Sequence, residues 1–195
     1  MALRATQPAD EDEPILIVPD ETLVSLAERL QRLCLRRRET VAIAESCTGG
    51  LIAAAITAVP GSSGYFMGGL VTYADAAKVQ LLGIPEATIG AHGAVSAQVA
   101  RAMATGALER LGASMAVSST GVAGPDGGSN AKPVGLVYLG LAWEGDADVR
   151  RLTLAGDRAA IRDAATAAAL EWLIERAGGL PDAPARDGPA VTNPP

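Results

Sequence analysis

Thr40-Val41-Ala42-Ile43-Ala44-Glu45-Ser46-Cys47-Thr48-Gly49-Gly50-Leu51 runs from an apolar stretch through a pair of glycines into a helical pattern. Residues 40–44 are uninterrupted and partly β-branched, which reads as a buried strand. Leu51 to Val59 reads as a helix that Pro60 ends. The small residues of 45–50 let backbone N–H groups converge at the positive end of that helix, an arrangement that binds anions and phosphate above all. Ser46 and Thr48 add hydroxyls to it, and Glu45 adds a carboxylate. The same residues also fit an ordinary tight turn in which Ser or Thr merely caps the helix. The segment is neither a P-loop, since it lacks Gly-Lys-Ser/Thr, nor a Gly-x-Ser-x-Gly elbow.

Upstream, Asp20 can cap a first helix with Leu23, Leu26, Ala27, Leu30, Leu33 and Cys34 along one face. Arg36-Arg37-Arg38 closes it, where cations complement the helix dipole. Downstream, Gly61 to Gly64 is a turn, 65–73 is strand-like, and 74–82 is a short helix stopped by Gly83. Ser96 caps a further helix with Val99, Met103, Leu108 and Leu111 inward, stopped by Gly112. Ser114 to Ser119 reads as a strand leading into Thr120-Gly121-Val122-Ala123-Gly124-Pro125-Asp126-Gly127-Gly128. The runs 134–143 and 147–154, joined by Glu144-Gly145-Asp146, read as an antiparallel hairpin. Asp157 caps a closing helix that reaches Arg176. The expected architecture is α/β: a mixed sheet covered by helices on both faces, in a single domain over 20–178. Eight of the twelve prolines fall in 1–20 and 181–195. Residues 1–19 and 179–195 are therefore expected to be flexible ends.

Composition excludes several function classes. Aromatics make up only 3% of the chain, which disfavours a base-stacking nucleic-acid platform. A basic stripe that would grip phosphate backbones is also missing. Much of the net charge of −6 sits at the N-terminal end, where Asp10, Glu11, Asp12, Glu13 and Asp20 face Arg4 alone. The acidity therefore says little about any site. Two cysteines and one histidine, not closely spaced, cannot build a structural zinc site. No apolar run reaches the length of a membrane span or resembles a signal region, so a cytoplasmic address is expected.

Four other features carry candidate chemistry. Thr120 to Gly128 is a second glycine-rich loop after a strand, and ligands of open α/β sheets sit beyond the strands' carboxyl ends. Tyr73 and Lys78 lie at a strand end and the start of the next helix. A lysine in an Ala-rich setting loses its proton more easily, and a tyrosine hydroxyl can relay one. Lys78 and Lys132 are the only lysines against fourteen arginines, which singles out an amine able to titrate. His92 lies in a loop ahead of a helix and ranks below Lys78 as a base. Cys47 is either a nucleophile activated by a helix N-terminus or a small buried residue.

Together these residues resemble the CinA C-terminal-domain family, the nicotinamide-nucleotide amidases, in a stand-alone form. The likeness runs from about Leu23 to Glu175. It is carried by Ala44–Gly50, Val59-Pro60-Gly61-Ser62-Ser63, Tyr73 with Lys78, and His92-Gly93-Ala94-Val95-Ser96. Thr120–Pro125, Lys132-Pro133-Val134-Gly135 and Gly156-Asp157-Arg158 complete it. The resemblance implies a three-layer α/β/α fold and hydrolysis of the carboxamide of nicotinamide mononucleotide to nicotinic acid mononucleotide and ammonia. It implies no metal, no cofactor, no nucleic-acid or membrane partner, and commonly a homo-oligomer. Ser46 is then the nucleophile, Lys78 its base and Tyr73 a relay. Glu45, Cys47, Thr48, Gly49, Gly50, Thr120, Gly121 and Gly124 supply the oxyanion and substrate contacts, and Arg158 an anion contact. Family members often read Tyr-Ser-Asn-Glu-Ala-Lys where this chain has Tyr73-Ala74-Asp75-Ala76-Ala77-Lys78. That difference keeps two alternatives open: a nucleotide-sensing or partner-binding protein with little turnover, or an amidase for another small amide.

Overall fold

The computed structural model describes residues 21–178. The expected flexible ends at 1–19 and 179–195, and the cap at Asp20, lie outside them. The described elements are α1 (Glu21–Arg37), β1 (Val41–Glu45), α2 (Leu51–Thr57), a 3-10 turn (Ser62–Gly64), β2 (Phe66–Val71) and α3 (Asp75–Leu82). They continue with α4 (Glu86–His92), α5 (Ala97–Leu111), β3 (Met115–Gly121), β4 (Leu136–Trp143), β5 (Asp146–Thr153) and α6 (Arg158–Gly178). One element escaped the sequence reading. The stretch expected to be a loop around His92 is helix α4, which ends at His92. It buries none of its side chains, so it has no apolar period to read.

The strands form one mixed sheet in the order β2-β1-β3-β4-β5. β1 pairs in parallel with β2 and β3, whereas β4 and β5 form the antiparallel hairpin that extends the sheet from β3. From β1 the chain first steps out to β2, then crosses back over to β3. That reversal opens a crevice beyond the carboxyl end of β1.

Alternation along β1 decides which helices lie on which face. Val41 and Ile43 are large and point into the cluster under α1, α2 and α6, with Leu30, Ile56, Ile161 and Leu173. Ala42 and Ala44 are small and point the other way, against Leu82, Val99, Met103 and Ala107 of α3 and α5. The alanine face lets α5 lie with its backbone almost on the sheet. A Cβ at Gly140 of β4 would run into the Ala100 carbonyl. Ser118 Oγ fills the same gap, donating to the Ala100 carbonyl at 2.6 Å and accepting from Gly140 N–H at 3.2 Å. The result is a three-layer α/β/α fold, as the resemblance implies. α3, which carries Lys78, is held by an equally close approach, because a Cβ at Gly106 of α5 would strike the Leu82 carbonyl.

Helix propensity and packing therefore oppose each other at Gly106. Alanine in a helix interior ordinarily stabilises by about 1 kcal/mol over glycine. At 106 the overlap with backbone outweighs that gain, and Gly106→Ala is expected to lose about 1–3 kcal/mol in urea unfolding. Gly90→Ala in α4 meets open space and is expected to gain up to about 1 kcal/mol. Equal effects of one sign at both positions would contradict the close α3–α5 packing.

Candidate active site

Ser46 is the first residue beyond β1, and its amide donates to the Ser119 carbonyl at 2.9 Å, prolonging the parallel ladder by one step. On the other side Thr72 N–H donates to the Glu45 carbonyl at 2.8 Å. Ser46 therefore sits in the middle of three adjacent strand ends. Side chains alternate, so Glu45 faces α2 and Ser46 faces α3. There it meets Lys78 Nζ at 3.3 Å.

Lys78 is only 1% exposed, an unusual position for lysine. Its Nζ donates to the carbonyls of Thr72 at 2.9 Å and Tyr73 at 3.1 Å. Carbonyls only accept, so these two contacts consume two N–H groups. The third tetrahedral direction points at Ser46 Oγ. An ammonium there donates to the serine; a neutral amine presents its lone pair and the serine donates. Both protonation states are satisfied without moving a heavy atom. Burial pushes the Lys78 amine below the ordinary lysine range, while Asp75, with Oδ1 at 3.6 Å, pulls the other way.

Several expected ligand contacts are instead committed to the framework. Glu45 is fully buried. Its Oε2 accepts from Gly50 N–H at 2.9 Å and Ile52 N–H at 3.1 Å, and its Oε1 from Ala53 N–H at 3.0 Å. The anion at the start of α2 is the protein's own carboxylate, which corrects the reading of the 45–50 turn as an open phosphate cradle. Thr48 is buried as well, with Oγ1 and Ser119 Oγ 2.6 Å apart. Thr120 Oγ1 donates to the Ala94 carbonyl at 2.8 Å. Cys47 is buried, and burial pushes its thiol up to about 11, so it stays protonated and cannot act as a thiolate nucleophile. Gly49 and Gly50, at φ 61 and 98, form the left-handed bend that brings the chain back into α2.

The hydroxyl of Tyr73 is also placed differently from the expected relay. The side chain is 59% exposed, and its hydroxyl accepts from Arg158 Nη2 at 2.9 Å. It is the backbone carbonyl of Tyr73 that reaches Lys78. Arg158 also donates through Nη1 to the Gly124 carbonyl at 2.8 Å, joining the second glycine-rich loop to the mouth of the site. Gly124 is at φ 76, and a Cβ there would collide with Val134. Gly121, at the end of β3, is pressed equally closely against the Leu136 carbonyl. His92 lends its carbonyl to Lys132 Nζ at 2.9 Å, which leaves Lys132 as a strap between its loop and the end of α4. A residue that the sequence reading missed is Arg162, whose Nη2 and Nε donate to the Thr48 carbonyl at 2.8 and 3.3 Å. Its spacing of four from Arg158 was the available signal.

A mixed α/β sheet carrying a buried lysine against a serine at its reversal point defines the class of domain. The chain belongs to the CinA C-terminal domain family, whose model matches residues 23–177. It is 53% identical over 157 residues to a CinA-like protein of Geobacter sulfurreducens, covering 80% of this chain and 37% of that one. Against the counterpart of Citrifermentans bemidjiense it is 55% identical over 145 residues, covering 73% and 35%. The chain thus spans little more than a third of the length of these relatives. Among solved structures, the competence/damage inducible protein CihA of Agrobacterium tumefaciens matches with TM-score 0.79 at 42% identity, covering 82% of this chain and 98% of that one. A CinA superfamily protein of Escherichia coli matches with TM-score 0.77 at 31% identity, covering 84% and 95%. No helix among the described residues is long and apolar enough to cross a membrane.

Glu45 offers a direct test of how the turn is held. Glu45→Ala leaves three N–H groups at a buried helix end without an acceptor and is expected to lose about 3 kcal/mol of unfolding free energy. Glu45→Gln keeps oxygen acceptance and is expected to lose less. Wild-type stability in Glu45→Ala would mean that the carboxylate does not anchor α2.

Proposed function

We propose that the chain hydrolyses the carboxamide of nicotinamide mononucleotide, releasing nicotinic acid mononucleotide and ammonia. The observation that carries this reading is the 3.3 Å contact between Ser46 Oγ and the buried amine of Lys78. An amide is a weak electrophile with a poor leaving group, so its cleavage asks for an activated hydroxyl and a proton for the departing nitrogen. Ser46 Oγ attacks the carboxamide carbon while Lys78 takes the hydroxyl proton. The resulting ammonium gives that proton to the leaving nitrogen, and ammonia departs from an acyl-serine. Water, deprotonated by the same amine, then attacks the acyl carbon; the bond to Ser46 Oγ breaks, the ammonium returns its proton to that oxygen, and the acid is freed. The two carbonyls that grip Lys78 keep its third direction on Ser46 throughout.

The oxyanion needs backbone donors. Gly50 N–H is given to Glu45, and Gly49 N–H to the Ser46 carbonyl at 3.1 Å. In this reading the amides of Cys47 and Thr48, whose partner in the free protein is the weakly accepting Cys47 sulfur, take that role. The choice of a nicotinamide nucleotide rests on the family resemblance. Small-molecule turnover in the cytoplasm and assembly into a homo-oligomer belong to the same proposal. A second reading, a nucleotide-binding protein with little turnover, draws on Asp75. Its carboxylate beside Lys78 favours the ammonium, the form that cannot accept a proton.

The deciding measurement is ammonia release from nicotinamide mononucleotide by the purified chain. Ser46→Ala and Lys78→Met are each expected to lower the rate on the order of a thousandfold, and together no further than either alone. Full activity in Ser46→Ala removes the nucleophile from the proposal.

The pH profile checks the base. Activity follows the neutral amine, so it rises with pH and levels off above the pKa of Lys78, below the ordinary lysine range. Removing the carboxylate that favours the ammonium, as in Asp75→Asn, is expected to shift that rise to lower pH. A shift to higher pH would contradict the assignment of Lys78 as base.

A further inference from the structure

α1 and α6 end together, where Arg37 Nη2 donates to the Gly178 carbonyl at 3.4 Å. Between the two helices runs an open groove of about 940 Å³, far more than one side chain fills. Leu26, Arg29, Leu33 and Arg36 line it from α1, and Glu171 and Ile174 from α6. The α1 residues recur at i, i+3, i+7 and i+10, so leucine and arginine alternate along one stripe of the helix. Leu26 and Leu33 are half-buried against the core, whereas Arg29 and Arg36 are exposed. The groove is basic as well as apolar. Among the described residues Arg29 has no acceptor, and Arg36 donates to the Arg32 carbonyl rather than to a carboxylate. Arg32, which also borders the groove, stands 3.8 Å from Glu28 in a solvated pair. On the opposite wall Glu175 is taken by Arg150, which leaves Glu171 as the one uncommitted carboxylate of the lining.

A basic, half-apolar groove calls for a segment that carries acids beside aliphatics. The sequence holds one, Asp10-Glu11-Asp12-Glu13-Pro14-Ile15-Leu16-Ile17-Val18, outside the described residues. Asp10–Glu13 is the longest acidic run of the chain, and Ile15–Val18 is its only run of four residues drawn from Ile, Leu and Val. A solvated chain end ordinarily lacks such an aliphatic cluster, because apolar surface left in water is costly. The tether has the right reach. Ile15–Val18 precede the start of α1 at Glu21 by three to six residues, about 10–20 Å of extended chain, while Leu26 and Leu33 lie about 8 and 18 Å along the helix. The acids precede it by eight to eleven residues, about 26–36 Å of chain, and Arg36 lies about 22 Å along. The order also agrees, with aliphatics near Leu26 and acids toward the far end, where Arg32 and Arg36 lie. The stretch after Gly178 begins in the groove but does not match it, setting Asp182 and Asp187 against Arg186 with no aliphatic run.

We propose that the groove between α1 and α6 is the docking site of the chain's own segment Asp10–Val18, with Ile15–Val18 over Leu26, Leu33 and Ile174 and the acids toward Arg29, Arg32 and Arg36. Docking removes apolar surface of both sides from water and gives carboxylate partners to arginines that have none among the described residues. It is independent of the Ser46–Lys78 chemistry.

The test is limited proteolysis of the full chain by thermolysin, which cuts on the amino side of large aliphatic residues and needs an undocked stretch of backbone. The wild type is expected to be cut within 15–18 about tenfold or more slowly than Arg29→Glu/Arg36→Glu, in which both exchanged residues are exposed. Adding Asp10→Lys/Glu13→Lys to that variant should restore most of the resistance, which arginines serving only the stability of α1 would not allow. Melting curves establish that each variant is folded. Equal cleavage of the wild type and Arg29→Glu/Arg36→Glu, whether fast or slow in both, overturns the groove as the docking site. So does a charge exchange that restores nothing. Resistance that disappears on dilution seats the segment on a second copy and overturns docking within one chain, whereas resistance independent of concentration supports it.

Discussion

The carboxylate of Glu45 is the constraint on which the rest of the site depends. It is fully buried, and a buried charge is tolerated only where it is compensated. Here the compensation comes from three backbone N–H groups and the positive end of α2. The bond pattern locks the start of α2 to the last residue of β1 and leaves just five residues, 46–50, to close the bend. Gly49 and Gly50 supply the left-handed conformations that so short a closure requires. Because strand side chains alternate, committing Glu45 to the α2 face commits Ser46 to the opposite one. The face of the sheet on which the serine hydroxyl meets Lys78 is thus set by its neighbour's carboxylate.

Lys78 is oriented by a comparable economy of means. The chain leaving β2 turns at Thr72 and Tyr73, and their two carbonyls converge on Nζ. Backbone acceptors of this kind do not titrate, so the amine is held the same way at any pH. The hydroxyl of Thr72, by contrast, is buried without a partner. An orphaned hydroxyl is a cost of about 1–3 kcal/mol that a framework residue would ordinarily avoid.

Much of this was legible in the sequence because it followed from strong local rules. The strand–turn–helix at 40–59, the cap at Ser96 and the 134–154 hairpin each rest on periodicity or turn chemistry, and each appears in the structure. The scarcity of lysine singled out Lys78. Assigning partners to polar groups was harder. A carboxylate beside a glycine-rich turn reads the same whether it waits for a ligand or caps the helix, and only the three bonds to Glu45 distinguish them. Tyr73 was chosen for its hydroxyl, whereas the fold uses its carbonyl, a group every residue has. α4 was missed because a surface helix with no buried side chain leaves no pattern. Arg162 was missed because an arginine on a helix is ordinarily solvated, and its target, the Thr48 carbonyl, is more than a hundred residues away.

The local electrostatics can be ordered by burial. Lys78 is shielded almost completely, so its desolvation acts at full strength and favours the neutral amine. Asp75 opposes this from 3.6 Å, but its side chain is 60% exposed, and water and salt weaken its pull. Desolvation therefore outweighs one solvated carboxylate, and the amine lies below the ordinary lysine range. Asp75, within the 74–76 segment, accordingly modulates the amine without cancelling the effect of its burial in α3 against the end of β1.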